Sequence, residues 1–260
     1  MAQWNQLSTD AHSGLLAEVI TYPGQGGDLV HAYFARPAGP GPHPSIVLVH
    51  HAPGWDELYR EMAYRLANHG YTVLAPDLYC RVAHGAPDDI GAQVRAAGMM
   101  PDDTVVGDLA AAMRYLRSLP TSNGKVGIIG SCSGGRHAFL AACRTPGGFD
   151  AVADLWGGRV VASAEELTPK MPVAPLDYTG DLSAPLLGIF GNDDQNPSPS
   201  HVDALEAALK QHGKSYEFHR YDGAGHGFFY YDRTAYRQQQ AMDGWSKVFA
   251  FFDQHLVGQR

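Results

Sequence analysis

From Ser45 onward the chain alternates short, unbroken apolar runs with segments of helical periodicity, and this constrains its fold more than any other feature. Ser45–Val49 is a continuous apolar run, as expected of a strand covered on both faces, Val126–Ile129 reads as a buried strand, Tyr71–Ala75, Ala151–Trp156 and Leu186–Phe190 read as further strands, and Tyr216–Tyr221 closes the series. Between them, Leu58, Met62 and Leu66 recur along a helix over Asp56–Asn68, with Gly70 past its end. Val105, Leu109, Met113 and Leu116 share one face of a helix N-capped by Asp102 or Asp103 and running to about Leu119. Further helices are expected over Gly134–Cys143, over Ser200–Gln211 and around Trp245, Val248, Phe249 and Phe252. Strands and helices in this order form an α/β fold, a mostly parallel sheet with helices on both faces. Ligands then bind beyond the C-terminal strand ends. A hairpin of Leu15–Tyr22 and Leu29–Arg36 around Gly24, Gly26 and Gly27 stands in front of it, within an N-terminal segment 1–44.

Composition narrows the function. The 260 residues suit one large domain. The net charge of −8, with no block of Lys or Arg, argues against binding a nucleic-acid backbone. No apolar run approaches the length of a membrane span. Met1–Pro23 lacks a basic start and an apolar stretch, so no secretory signal is expected. Three cysteines, Cys80, Cys132 and Cys143, without a Cys-x-x-Cys pair, argue against a disulfide framework or a thiolate metal site. A reducing, cytoplasmic setting follows. Among 13 histidines, the adjacent pair His50–His51 is only a weak metal signal.

The chemistry concentrates after the strand Val126–Ile129, at Gly130-Ser131-Cys132-Ser133-Gly134-Gly135. A nucleophile flanked two residues away on each side by glycine, between a strand and a helix, forms an elbow that exposes it. Cys132 as nucleophile puts Gly130 and Gly134 at the crowded positions; Ser133 would put Ser131 and Gly135 there, a tighter arrangement. The helix N-terminus favours negative charge on the nucleophile, and the Ser133 N–H points where an oxyanion would form. After Leu186–Phe190 come Asp193 and Asp194, and after Tyr221 a glycine-rich loop carries His226. The order is nucleophile, acid, base: His226 would move the proton and one aspartate would fix its tautomer. Spacing alone leaves Asp193 and Asp194 open. The loop His50-His51-Ala52-Pro53-Gly54-Trp55 would supply a second oxyanion donor; Pro53 has no N–H, so Ala52 is the natural one.

With these residues in place the chain resembles the dienelactone hydrolase family of α/β-hydrolases, from about Ser45 to the C-terminus. Ser122-Asn123-Gly124-Lys125-Val126-Gly127 leading into the elbow, Ala75-Pro76-Asp77-Leu78-Tyr79-Cys80-Arg81, and Tyr221-Asp222-Gly223-Ala224-Gly225-His226-Gly227-Phe228 carry the resemblance. It implies a single α/β-hydrolase domain of about eight strands without a large lid. It also implies Asp194 as the acid, by the family's Gly-x-x-Asp register, and Arg81 as a substrate-binding arginine. Two positions depart from the family. His51 stands where enzymes acting on dienelactone have a glutamate, and it could stabilise a thiolate. Tyr230 stands where they have a second arginine, and a phenol does not replace a guanidinium clamp. His51, Trp55, Tyr230 and Arg81 are therefore the candidate substrate contacts. Tyr79, Trp156, Tyr178 and Phe228 lie near the pocket by location, although such residues more often serve the core. Segments 82–100 and 157–183 are long for bare connections and could shape the pocket. The expected activity is cofactor-free and metal-free cleavage of a small lactone or ester through Cys132, His226 and Asp194. A thioester or peptide bond, and a non-catalytic ligand-binding role, are the rivals.

Overall fold

A computed structural model describes residues 14–257. The first part of the N-terminal segment, and most of the stretch read for a secretory signal, lie outside the described residues. The hairpin is present as β1 (Leu15–Pro23) and β2 (Leu29–Pro37). There follow β3 (His43–Val49), α1 (Glu57–Asn68), β4 (Thr72–Pro76), α2 (Pro87–Ala96) and α3 (Asp102–Ser118). Next are β5 (Ser122–Ser131), α4 (Ser133–Arg144), β6 (Ala151–Leu155) and β7 (Leu186–Gly191). The chain ends with α5 (Pro199–Gln211), β8 (Tyr216–Tyr221) and α6 (Gln238–Phe252).

The strands form one eight-stranded sheet in the order β1-β2-β4-β3-β5-β6-β7-β8. β2 pairs antiparallel with β1 and with β4, and every other pairing is parallel. All of β4, β6 and β7 is buried, the polar Thr72 and Asp154 included, whereas the outermost strand β1 is mostly exposed and β8 mostly half-buried. The parallel strands bring the chain segments after β3, β5, β6, β7 and β8 to one edge of the sheet. Among the described residues no helix is long and apolar enough to cross a membrane.

Local sequence explains where the helices begin. Asp56 caps α1 by accepting the Tyr59 N–H at 3.3 Å. Neither Asp102 nor Asp103 caps α3; Pro101 occupies that position, and Asp102 lies inside the first turn. The carboxylate of Asp102 is taken instead by the Arg136 guanidinium, in a two-pronged pair at 2.6 and 2.9 Å with both side chains buried. α2 is a helix that periodicity did not announce. Only Gly91 and Val94 of it are buried, too few apolar positions to reveal a helical stripe.

Candidate active site

At the end of β5 the backbone turns sharply into α4, and Cys132 occupies the apex with φ 56° and ψ −124°. A residue other than glycine held there costs about 1–3 kcal/mol, and such strain concentrates at functional sites. The turn closes only because of its glycines. A Cβ on Gly130 would lie 2.1 Å from the Gly134 carbonyl oxygen, and one on Gly134 would lie 2.3 Å from the Val49 oxygen. The strained position thus belongs to Cys132 and not to Ser133, which opens α4 with its hydroxyl buried. Cys132 is half-buried and lines a cleft of about 680 Å³ at the C-terminal sheet edge.

His226 reaches the same cleft from the loop after β8. Its Nδ1 lies 2.8 Å from the Asp194 carboxylate, and the imidazole lines the cleft together with Cys132. Burial works against the charged ring, but the bond to Asp194 and the nearby Cys132 push His226 up to about 10. Asp194 is buried and also accepts the Asn196 N–H at 2.9 Å, so its carboxylate is held on both oxygens. The neighbouring Asp193 is exposed, because its N–H bonds the Ala224 carbonyl and the turn sends its side chain outward. Ala52 and Ser133 line the cleft beside Cys132. Ser133 is the first residue of α4, so its N–H has no partner within the helix. Among the described residues no acceptor takes the Ala52 N–H.

The four expected substrate contacts do not line the cleft. His51 and Tyr230 are buried behind the elbow, in a chain of hydrogen bonds that runs through Ser131. The Asp56 carboxylate can only accept, so His51 donates to it from Nε2 at 2.7 Å. Nδ1 of His51 lies 3.2 Å from the Tyr230 hydroxyl, which shares a hydrogen bond with Ser131 at 2.7 Å, and Ser131 shares another with Tyr59. Burial, and next the charge of the neighbouring Cys132, raises Tyr230 well above its ordinary value, so its phenol stays protonated. Against burial, the bond to His51 holds Asp56 below the usual carboxylate range. Trp55 packs edge-on against Tyr33. Arg81 is drawn away from the cleft altogether, to the buried carboxylate of Asp108 in α3. Asp108 also accepts the Gln25 N–H at 2.8 Å, so the pair pins the β1–β2 turn to the helix.

Three other arginines line the cleft, Arg136 with its guanidinium held by Asp102, and Arg95 and Arg159 without a close acidic partner among the described residues. Arg95 projects from the last turn of α2, and Arg159 from the loop after β6, at a backbone φ of 61°. Met99, Thr168 and Met171 complete these walls. The signal in the sequence was the length of the two connections, which carry these residues; nothing in it singled out the two arginines. Among the described residues no cluster of three or more His, Cys, Asp or Glu side chains could hold a metal ion.

The family model for the dienelactone hydrolase family matches residues 30–256. The chain belongs to the dienelactone hydrolase family. It is 35% identical over 260 residues to a Methylorubrum extorquens protein provisionally named a carboxymethylenebutenolidase, covering 99% of this chain and 87% of that protein. It is 32% identical over 240 residues to a Bradyrhizobium protein provisionally named a 2-oxo-3-(5-oxofuran-2-ylidene)propanoate lactonase, covering 91% and 94%. A crystal structure from Klebsiella pneumoniae, provisionally named a dienelactone hydrolase, matches with a TM-score of 0.83 at 30% identity, covering 93% of this chain and 99% of that one. The eight-stranded sheet is thus the α/β-hydrolase fold, and this dienelactone hydrolase family member is a hydrolase acting on ester or lactone bonds.

Proposed function

We propose that the protein cleaves a small lactone or carboxylic ester through a covalent acyl-thioester on Cys132. His226 takes the thiol proton as the sulfur attacks the carbonyl carbon, and the carbonyl electron pair moves onto oxygen. The Ala52 and Ser133 N–H groups receive that oxyanion, with removal of one such donor costing about 3 kcal/mol in comparable sites. Collapse expels the alkoxide, which takes the proton from His226 and, in a lactone, stays tethered to the acyl group. A water then gives its proton to His226 and attacks the thioester. The second collapse returns the proton to sulfur and frees the acid. Asp194 keeps the His226 proton on Nδ1, leaving the other ring nitrogen for Cys132. The observation that carries this reading is one imidazole bonded to a buried carboxylate and lining the same cleft as a thiol held in strained backbone.

Segments 82–100 and 157–183 wall the cleft, and their arginines, Arg95 and Arg159, suit a substrate bearing an acidic group near the scissile bond. The Bradyrhizobium relative's name, a propanoate lactonase, agrees with that class. A thiol nucleophile, with all three cysteines free, suits a reducing compartment such as the cytoplasm. The test is turnover of an aryl ester by Cys132→Ala. Loss of turnover to the uncatalysed rate is the expected result, and wild-type turnover would overturn the assignment.

A further inference from the structure

We propose that His50 is a positioning residue that aims the Ala52 N–H into the oxyanion hole. The proposal rests on the reading of Ala52 as an oxyanion donor. His50 is buried just after β3 and does not line the cleft. The Leu78 N–H donates to its Nε2 at 3.1 Å. An N–H can only donate, so Nε2 carries no proton and the ring proton sits on Nδ1. Nδ1 lies 2.8 Å from the His51 carbonyl oxygen and therefore donates to it. The same oxygen accepts the Gly54 N–H at 3.0 Å.

The peptide joining His51 to Ala52 is planar, with its carbonyl and its N–H on opposite sides. Two donors gripping the His51 oxygen thus fix the direction of the Ala52 N–H. That N–H has no acceptor among the described residues, and Ala52 lines the cleft beside Cys132. Burial lowers His50 below its ordinary value and keeps it neutral. Neutrality matters because an imidazolium would turn a second N–H against the Leu78 N–H. The edge of the Tyr79 ring packs against the His50 imidazole at 4.6 Å between centroids and leaves it little room to rotate.

Two substitutions separate the two ring nitrogens. In His50→Asn the amide occupies the place of Nδ1 and can donate to the His51 oxygen. In His50→Gln the amide occupies the place of Nε2, and the His51 oxygen loses its side-chain donor. With an aryl ester we expect His50→Asn to keep kcat within about fivefold, and His50→Gln to lose roughly 10- to 100-fold in kcat with little change in KM. Alkylation of Cys132 by iodoacetamide builds no oxyanion, so its rate should be the same in both variants and the wild type. Equal kcat in the two variants, or an alkylation rate that falls with kcat, would overturn the proposal. The wild-type tautomer gives an independent reading by ¹⁵N NMR of the histidine rings, and it decides the matter should His50→Gln not fold. A proton on Nδ1 of His50 supports the proposal and a proton on Nε2 contradicts it. Failure of the underlying catalytic reading would show separately, as turnover by Cys132→Ala.

Discussion

Arg81 and Arg95 lie on the same connection between β4 and α3, yet they end in opposite environments. Arg81 folds away from the cleft onto Asp108, whose side chain is 1% exposed. Arg95 is exposed on the cleft wall, with no carboxylate partner among the described residues. Arg136 and Arg159 both line the cleft but differ in partner. Arg136 is locked to the buried Asp102, while Arg159 has only Glu166 at 3.9 Å on an open surface. A buried carboxylate is costly unless a cation meets it, so Asp102 and Asp108 each claim the arginine within reach. Position along the chain does not decide which arginine is left without a carboxylate partner; the nearest buried acid does. Asp194 is buried too and is met by His226, but Asp154 is a buried carboxylate that no cation answers among the described residues. Among the described residues it accepts only the Gly157 N–H, at 2.7 Å, and desolvation raises it to about 7.

This contrast makes graded predictions. The largest effect should come from Asp102→Ala, which leaves the Arg136 guanidinium buried and unpaired. A loss of about 3–5 kcal/mol of stability is expected in denaturant unfolding; a loss below about 1 kcal/mol would mean that the pair is not buried as described. Arg81→Met should follow, at about 2–3 kcal/mol, because Asp108 loses its cation but keeps the Gln25 N–H. The same variant should leave KM for a carboxylate-bearing ester unchanged, and a rise in KM would return Arg81 to the substrate site.

Asp154 comes next. Its folded value lies above its unfolded one, so the folded state holds the proton more tightly and this group's contribution to stability falls as pH rises from about 4 to 7. The slope is at most about 1.4 kcal/mol per pH unit. Asp154→Asn should remove it in unfolding measured across that window, and an unchanged slope would contradict the reading. The smallest effects belong to the cleft arginines. Arg95→Met and Arg159→Met should each shift stability by less than about 0.5 kcal/mol. Each should raise KM for an acidic ester about fivefold to tenfold and leave a neutral ester unaffected.

The same division explains what could be read from the amino-acid sequence. The strands and the elbow were legible because their signals are local. An apolar run covered on both faces, or glycines two residues either side of a cysteine, carries its meaning without knowledge of distant partners. β8 falls over Tyr216–Tyr221 as expected, and Gly130 and Gly134 are crowded as the turn requires. Partnerships across the fold were not legible. Asp102 reads as a helix cap until Arg136 arrives from α4, and Arg81 reads as a substrate group until Asp108 arrives from α3. His51 and Tyr230 were singled out for departing from the family pattern, but only the fold joins them, through Ser131 to Tyr59 and through Asp56 to the start of α1. Asp193 and Asp194 share a turn, and a backbone bond to Ala224 turns one outward while the other meets His226.

The central claim is that the Cys132 sulfur carries the acyl group between two chemical steps. Rapid mixing with an activated aryl ester, followed by an acid quench and peptide mass analysis, tests it directly. A burst of phenol equal to the enzyme concentration, with the acyl mass on the Cys132 peptide, is the predicted result. Steady turnover with no burst and no acyl group on that peptide at any quench time, under conditions where a thioester survives, would contradict it.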